Sequence, residues 1–127
     1  MRIATFSARR HRKYEEGNAY YGSAYVPADD SPGLGAVRAI DPLSGQVKWE
    51  FQHVSSSASG LLSTAGGLMF TGDAQGNFIL LDAASGNALW HFQTGGEIHS
   101  GPMAFAVDGK EYVAITAGSA LYTFGLP

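Results

Sequence analysis

The sequence predicts an all-β fold: a β-propeller segment of about two to three four-stranded antiparallel blades. Three observations predict it. The 127 residues contain seventeen glycines, which favours a turn-dense chain of short strands over helices. Apolar residues alternate with a period of two in short runs, and no long helical periodicity competes with them. The chain also repeats itself at a fixed step of 41 residues, the length scale of one blade.

The repeat runs from Gly35 to Gln52 and again from Gly76 to Gln93. Asp41 matches Asp82, Ser44-Gly45 matches Ser85-Gly86, Trp49 matches Trp90, Phe51 matches Phe92, and Gly60 keeps the same offset from Gly101. Within each unit a short apolar run (Ala36 to Ile40, Asn77 to Leu81) closes on Asp-x-x-Ser-Gly. The aspartate of such a turn bonds nearby backbone amides and the glycine takes a positive φ. The segment from Gln46 to Gln52 then places Val47, Trp49 and Phe51 on one face and Lys48 and Glu50 on the other. Ala88 to Gln93 puts Trp90 and Phe92 on one side and His91 opposite. Each unit therefore contains a hairpin. Further strands are expected at Gly60 to Thr64, Leu68 to Gly72, Pro102 to Val107, Glu111 to Ala117 and Ala120 to Phe124, with Asp108-Gly109-Lys110 as a hairpin turn.

Charge divides the chain unevenly. Five of the eight basic residues lie at Arg2, Arg9, Arg10, Arg12 and Lys13. From Tyr14 onward three basic residues face all eleven acidic ones, a net of −8. Such a body repels nucleic acid and anionic membranes, so neither is an expected partner. No run approaches the roughly 18 apolar residues of a membrane span, and no signal peptide is visible. There are no cysteines, which excludes a disulfide framework, a thiolate metal site and a cysteine nucleophile. Residues 1–32 are read as an amino-terminal segment, basic at its start and poorly ordered, and residues 33–127 as the repeats.

The repeat resembles the tryptophan-docking motif of pyrroloquinoline quinone (PQQ)-dependent dehydrogenases, whose pattern is Ala-x-Asp-x-x-Thr/Ser-Gly-x-x-x-Trp. Ala39 to Trp49 fits throughout, and Leu80 to Trp90 departs only at Leu80. Gly60-Leu-Leu-Ser-Thr-Ala-Gly-Gly-Leu-Met-Phe-Thr-Gly72 and Asp108-Gly-Lys-Glu-Tyr-Val-Ala114 are similar to stretches near that family's carboxyl end. The resemblance implies carboxyl-terminal blades of an enzyme that oxidises an alcohol or sugar with PQQ and calcium, periplasmic by analogy and inactive alone. It makes Asp41, Gly45, Trp49, Asp82, Gly86 and Trp90 structural, each tryptophan packing on the neighbouring blade. It places Ala58, Ser59 and Gly60 along the cofactor funnel, with Ala58 where many relatives carry a tryptophan. No position can be matched to the family's catalytic aspartate or metal ligands.

Other candidates for chemistry are few. Glu97 and His99 share a loop, and a Glu-x-His pair can bind metal or move a proton, although two ligands alone read as a solvated loop. His53 and His91 read as surface positions. Gly33-Leu-Gly35 lacks the third glycine of a dinucleotide fingerprint. The expected partners are the remaining blades, or further copies of this chain, three or four of which would close a ring. The other function class is a non-catalytic PQQ-like propeller that binds proteins, and quinone binding separates the two.

Overall fold

The computed structural model describes residues 14–17, 35–55 and 59–125. All its strands lie in the unit Leu34–Pro127, which is described by itself. Nine strands follow in chain order: β1 (Ala36–Ile40), β2 (Val47–Gln52), β3 (Leu62–Ser63), β4 (Leu68–Gly72), β5 (Asn77–Asp82), β6 (Ala88–Gln93), β7 (Met103–Val107), β8 (Lys110–Ala117) and β9 (Ala120–Gly125). They form three antiparallel sheets, ordered β1-β2, β3-β4-β5-β6 and β7-β8-β9. No helix occurs among the described residues. The expected all-β fold is therefore what the chain adopts.

The repeat step reappears in the register. Ala39 pairs with Trp49 and Ile40 with Val47, so Lys48 is the extra residue of a β-bulge. One repeat later Leu80 pairs with Trp90 and Leu81 with Ala88, which leaves Leu89 in the same role. A bulge sharpens the local twist and re-aims the side chains around it. The turns repeat as well. Gly45 and Gly86 hold φ of 71° and 75°. Asp41 Oδ1 accepts bonds from the Leu43 and Ser44 amides, and Asp82 Oδ1 from those of Ala84 and Ser85. The β7–β8 turn puts both Asp108 (φ 51°) and Gly109 (φ 77°) in the left-handed region, the geometry of a two-residue hairpin loop.

The core lies between the second and third sheets. Phe70, Phe78, Ile98, Val113, Ile115 and Ala117 are buried together, with Leu62, Leu68, Leu80, Tyr122 and Phe124 packed against them. Phe78 stacks on Phe70 at 5.7 Å and meets Phe124 at 5.3 Å between ring centres. Burying a phenylalanine of this kind contributes roughly 1.5–3 kcal/mol. The β1–β2 hairpin is leaner, since Val37 is its one buried hydrophobic residue among those described.

One strand is shorter than its sequence suggests. The expected run from Gly60 to Thr64 contracts to Leu62–Ser63. Gly60 leaves the ladder because its amide is spent on the Ser100 carbonyl at 3.3 Å, in the loop before β7.

Candidate functional site

The antiparallel register decides which loops meet. Gly72 pairs with Phe78 and Asn77 with Gln93, so the β4–β5 turn, the start of β3 and the end of β6 share one rim. The loop from Thr94 to Pro102 crosses that rim toward β7. Among the described residues four backbone bonds hold it down: Thr94 N to Gly76 O at 2.9 Å, Ile98 N to Asp73 O at 3.2 Å, Gly118 N to Glu97 O at 2.9 Å, and Gly60 N to Ser100 O at 3.3 Å. Ile98 is its anchor, fully buried over Gly72, where an added Cβ would stand 2.6 Å from Ile98 Cγ2.

On this loop Glu97 and His99 face each other, with His99 Nε2 3.0 Å from Glu97 Oε2. Both side chains are more than half exposed. With Ser100, Thr116 and Gly118 they line an open cavity of about 360 Å³. Ser100 is not a free hydroxyl there, since its Oγ donates to Thr116 O and accepts from Thr116 N. No group of three or more His, Cys, Asp or Glu side chains suited to a metal ion occurs among the described residues.

Of the positions expected along a funnel, Ser59 and Gly60 fall beside this loop. Ala58 lies outside the described residues. Ser59 Oγ donates to Ser100 O at 3.0 Å. Gly60 packs so closely that an added Cβ would lie 2.8 Å from Gly101 Cα. Ser59-Gly60 and Ser100-Gly101, one repeat apart, thus touch directly just before β3 and β7. A quinone bearing carboxylates asks for cationic donors. Lys48 pairs with Asp41 at the opposite rim, Arg38 is bonded to Glu50, and Lys110 sits at the β7–β8 turn. The described residues on this rim therefore include no lysine or arginine, only His99 paired with Glu97, and do not by themselves fit that cofactor.

The two tryptophans are placed differently. Trp49 Nε1 donates to Ala83 O at 3.1 Å, and its ring lies on Gly86, where a Cβ would come within 2.5 Å of Trp49 Cε3. The first unit is thereby joined to the Asp-x-x-Ser-Gly turn of the second. Trp90 instead meets rings, stacking on Phe92 at 6.1 Å and crossing Phe124 at 5.5 Å, and it remains 41% exposed.

Two carboxylates of the turns are held below their usual range. The Leu43 and Ser44 amides, then Lys48, do this for Asp41, and the Ser85 hydroxyl and amide do it for Asp82.

The position that sequence reasoning missed is His53. It was expected at the surface, yet it is only 4% exposed, and neither ring nitrogen has a hydrogen-bond partner among the described residues. Strand periodicity could not reveal this, because His53 lies just beyond the end of β2. The repeat offered a signal: 41 residues on stands Thr94, at the same junction, also buried. His91 is exposed as expected.

Comparison with known proteins agrees with this architecture. A PQQ-repeat family model described as outer membrane protein assembly factor BamB matches residues 34–125. The chain belongs to this PQQ-repeat family. It is 42% identical over 106 residues to a quinoprotein ethanol dehydrogenase of Pseudomonas aeruginosa, covering 83% of this chain and 17% of that protein. The 1-butanol dehydrogenase (quinone) of Thauera butanivorans is 40% identical over 108 residues, again 83% of this chain and 17% of the relative. Among solved structures, the quinohemoprotein alcohol dehydrogenase of Comamonas testosteroni superposes with a TM-score of 0.66 at 34% identity, over 72% of this chain and 14% of that one. A europium-containing methanol dehydrogenase gives 0.63 at 33% identity, over 79% and 19%. The chain spans less than a fifth of the length of these relatives. No helix among the described residues is long and apolar enough to cross a membrane.

Proposed function

We propose that this chain supplies carboxyl-terminal propeller blades of a PQQ-dependent dehydrogenase that oxidises an alcohol or sugar, and that it is inactive without the other blades. The observation that carries this reading is the 42% identity to a quinoprotein ethanol dehydrogenase, spread over 83% of the chain but 17% of the enzyme. In the intact assembly PQQ with its metal ion would accept the hydride of the substrate. Ala58, Ser59 and Gly60 would form part of the funnel wall, while Trp49 and Trp90 tie successive blades together. The anchors of the quinone and the metal would come from other blades. By analogy with the family, the compartment is the periplasm.

The test is a graft. Residues 34–125 replace the aligned stretch of the Pseudomonas aeruginosa ethanol dehydrogenase, and PQQ uptake and dye-linked ethanol oxidation are measured with calcium present. Retention of quinone binding is the expected result. A folded chimera that takes up no quinone would refute the dehydrogenase reading. It would favour a protein-binding propeller, the reading supported by the BamB description of the family model and by alanine at position 58. Light scattering on the chain itself checks the dependence on other blades. A monomer or a heterogeneous aggregate is expected, and a discrete trimer or tetramer would replace the fragment reading with ring closure by identical copies.

A further inference from the structure

The junction between the first and second units holds a buried titratable group that the proposed function does not use. The His53 amide donates to Gly35 O at 2.9 Å, and Gly35 N in turn donates to Ser55 O at 3.1 Å, so the backbone on both sides of the imidazole is fixed. The ring is 4% exposed, lies edge-on to Phe51 at 5.5 Å between centroids, and has no hydrogen-bond partner at either nitrogen among the described residues. Burying a polar atom without a partner is destabilising, because its hydration is lost and nothing replaces it.

The second unit solves the same position differently. Thr94 N donates to Gly76 O at 2.9 Å, as His53 N does to Gly35 O one repeat earlier. There the Thr94 hydroxyl stands 2.9 Å from both Gly76 O and Gly96 O, either of which can accept its one proton. Burial in the second unit is therefore accompanied by bonded side-chain atoms, and in the first it is not.

The charged group whose field reaches His53 is Asp73, on the β4–β5 turn. Asp73 is fully buried, and its oxygens already accept from the Gln75 amide, the Asn77 amide and Asn77 Nδ2, each at 2.9 Å. On the hairpin itself Arg38 and Glu50 are bonded to each other. We infer that His53 is a proton-sensitive wedge: neutral, it packs edge-on to Phe51 at the junction where the chain leaves the β1–β2 hairpin, and protonated, it loosens that junction. Burial pulls the imidazole below its ordinary value and the negative field of Asp73 opposes that pull. The folded chain then binds fewer protons than the unfolded one. The stability this provides is complete above the ordinary histidine range, near 6.5, and declines as pH falls below it toward the folded value.

The experiment is amide hydrogen exchange on the whole chain, wild type against His53→Phe, between pH 7.5 and 5.5 and corrected for intrinsic rates. Amides at the junction (Gly35, His53) and at the tryptophan contact (Gly86) are compared with Val113 and Ile115 in the third sheet. In the wild type the opening constant of the junction amides should rise on acidification by up to about tenfold per pH unit. In the variant it should not, and the third sheet should not respond in either. Parallel profiles for the two proteins would overturn the inference. So would ring protonation that leaves the junction amides unmoved. Should His53→Phe fail to fold, an NMR titration of the wild-type ring decides. A value below 6.5 supports the wedge, and one above it means that His53 gains an ion pair with Asp73 and the inference fails.

Discussion

The β1–β2 hairpin and the β5–β6 hairpin are the same device written twice, and the chain treats them differently. Both have the aspartate-capped turn, the bulge beside the tryptophan and the positive-φ glycine. In the first, the tryptophan reaches a turn of the next unit and its indole N–H finds a carbonyl. In the second, the tryptophan rests among Phe78, Phe92 and Phe124, makes no hydrogen bond among the described residues, and all of β6 is exposed. Local sequence therefore builds the hairpin, and the neighbouring unit decides whether its aromatic side chain is docked.

The sharpest way to break this comparison is at the turn glycines. Gly86→Ala forces a Cβ into the Trp49 ring in addition to a strained φ, whereas Gly45→Ala meets nothing within 4 Å and bears the φ strain alone. Gly86→Ala should cost about 2–4 kcal/mol and Gly45→Ala about 1 kcal/mol, read from urea midpoints. Equal midpoints would mean that the tryptophan contact contributes nothing. The touching glycines Gly60 and Gly101 give the next largest contrast. Gly60→Ala meets the Gly101 backbone at 2.8 Å, while Gly101→Ala finds ordinary contact at 3.8 Å. The first should destabilise by roughly 1–3 kcal/mol and the second by a few tenths.

Replacing each tryptophan with phenylalanine removes the indole N–H. Trp49→Phe leaves the Ala83 carbonyl without its donor and should lose about 1 kcal/mol more than Trp90→Phe by the same denaturant measurement. Acrylamide should also quench Trp90 more strongly than Trp49. The smallest effect is expected from the capped aspartates. Their folded values lie below the ordinary carboxylate range, so their contribution is present above about pH 4 and lost as pH falls through the lowered values. Asp82→Asn should flatten the acid limb of the thermal-midpoint curve slightly. An acid limb unchanged in that variant would show that the turn bonds are equally strong to a neutral acceptor.

Much of the strand order was legible because glycine and aspartate punctuate it at a constant step. What was not legible depended on groups distant in sequence. β3 is short because Gly60 bonds to Ser100, forty residues away. His53 is buried although it lies just beyond β2, where the alternation of that strand carries no information. At the rim, the Glu97–His99 pair was visible from its spacing, but the anchoring of its loop by Ile98 over Gly72 was not. Neither glycine nor isoleucine announces that contact in a linear pattern.

The link from Trp49 to the Ala83 carbonyl spans 34 residues and joins one unit to the next without involving any third. A chain stitched in this manner gains cooperativity step by step, like tiles each locked by the one laid after it. Its melting should begin at whichever end lacks a neighbour and travel inward. The length of ordered chain, more than any single bond, then sets how sharply it unfolds.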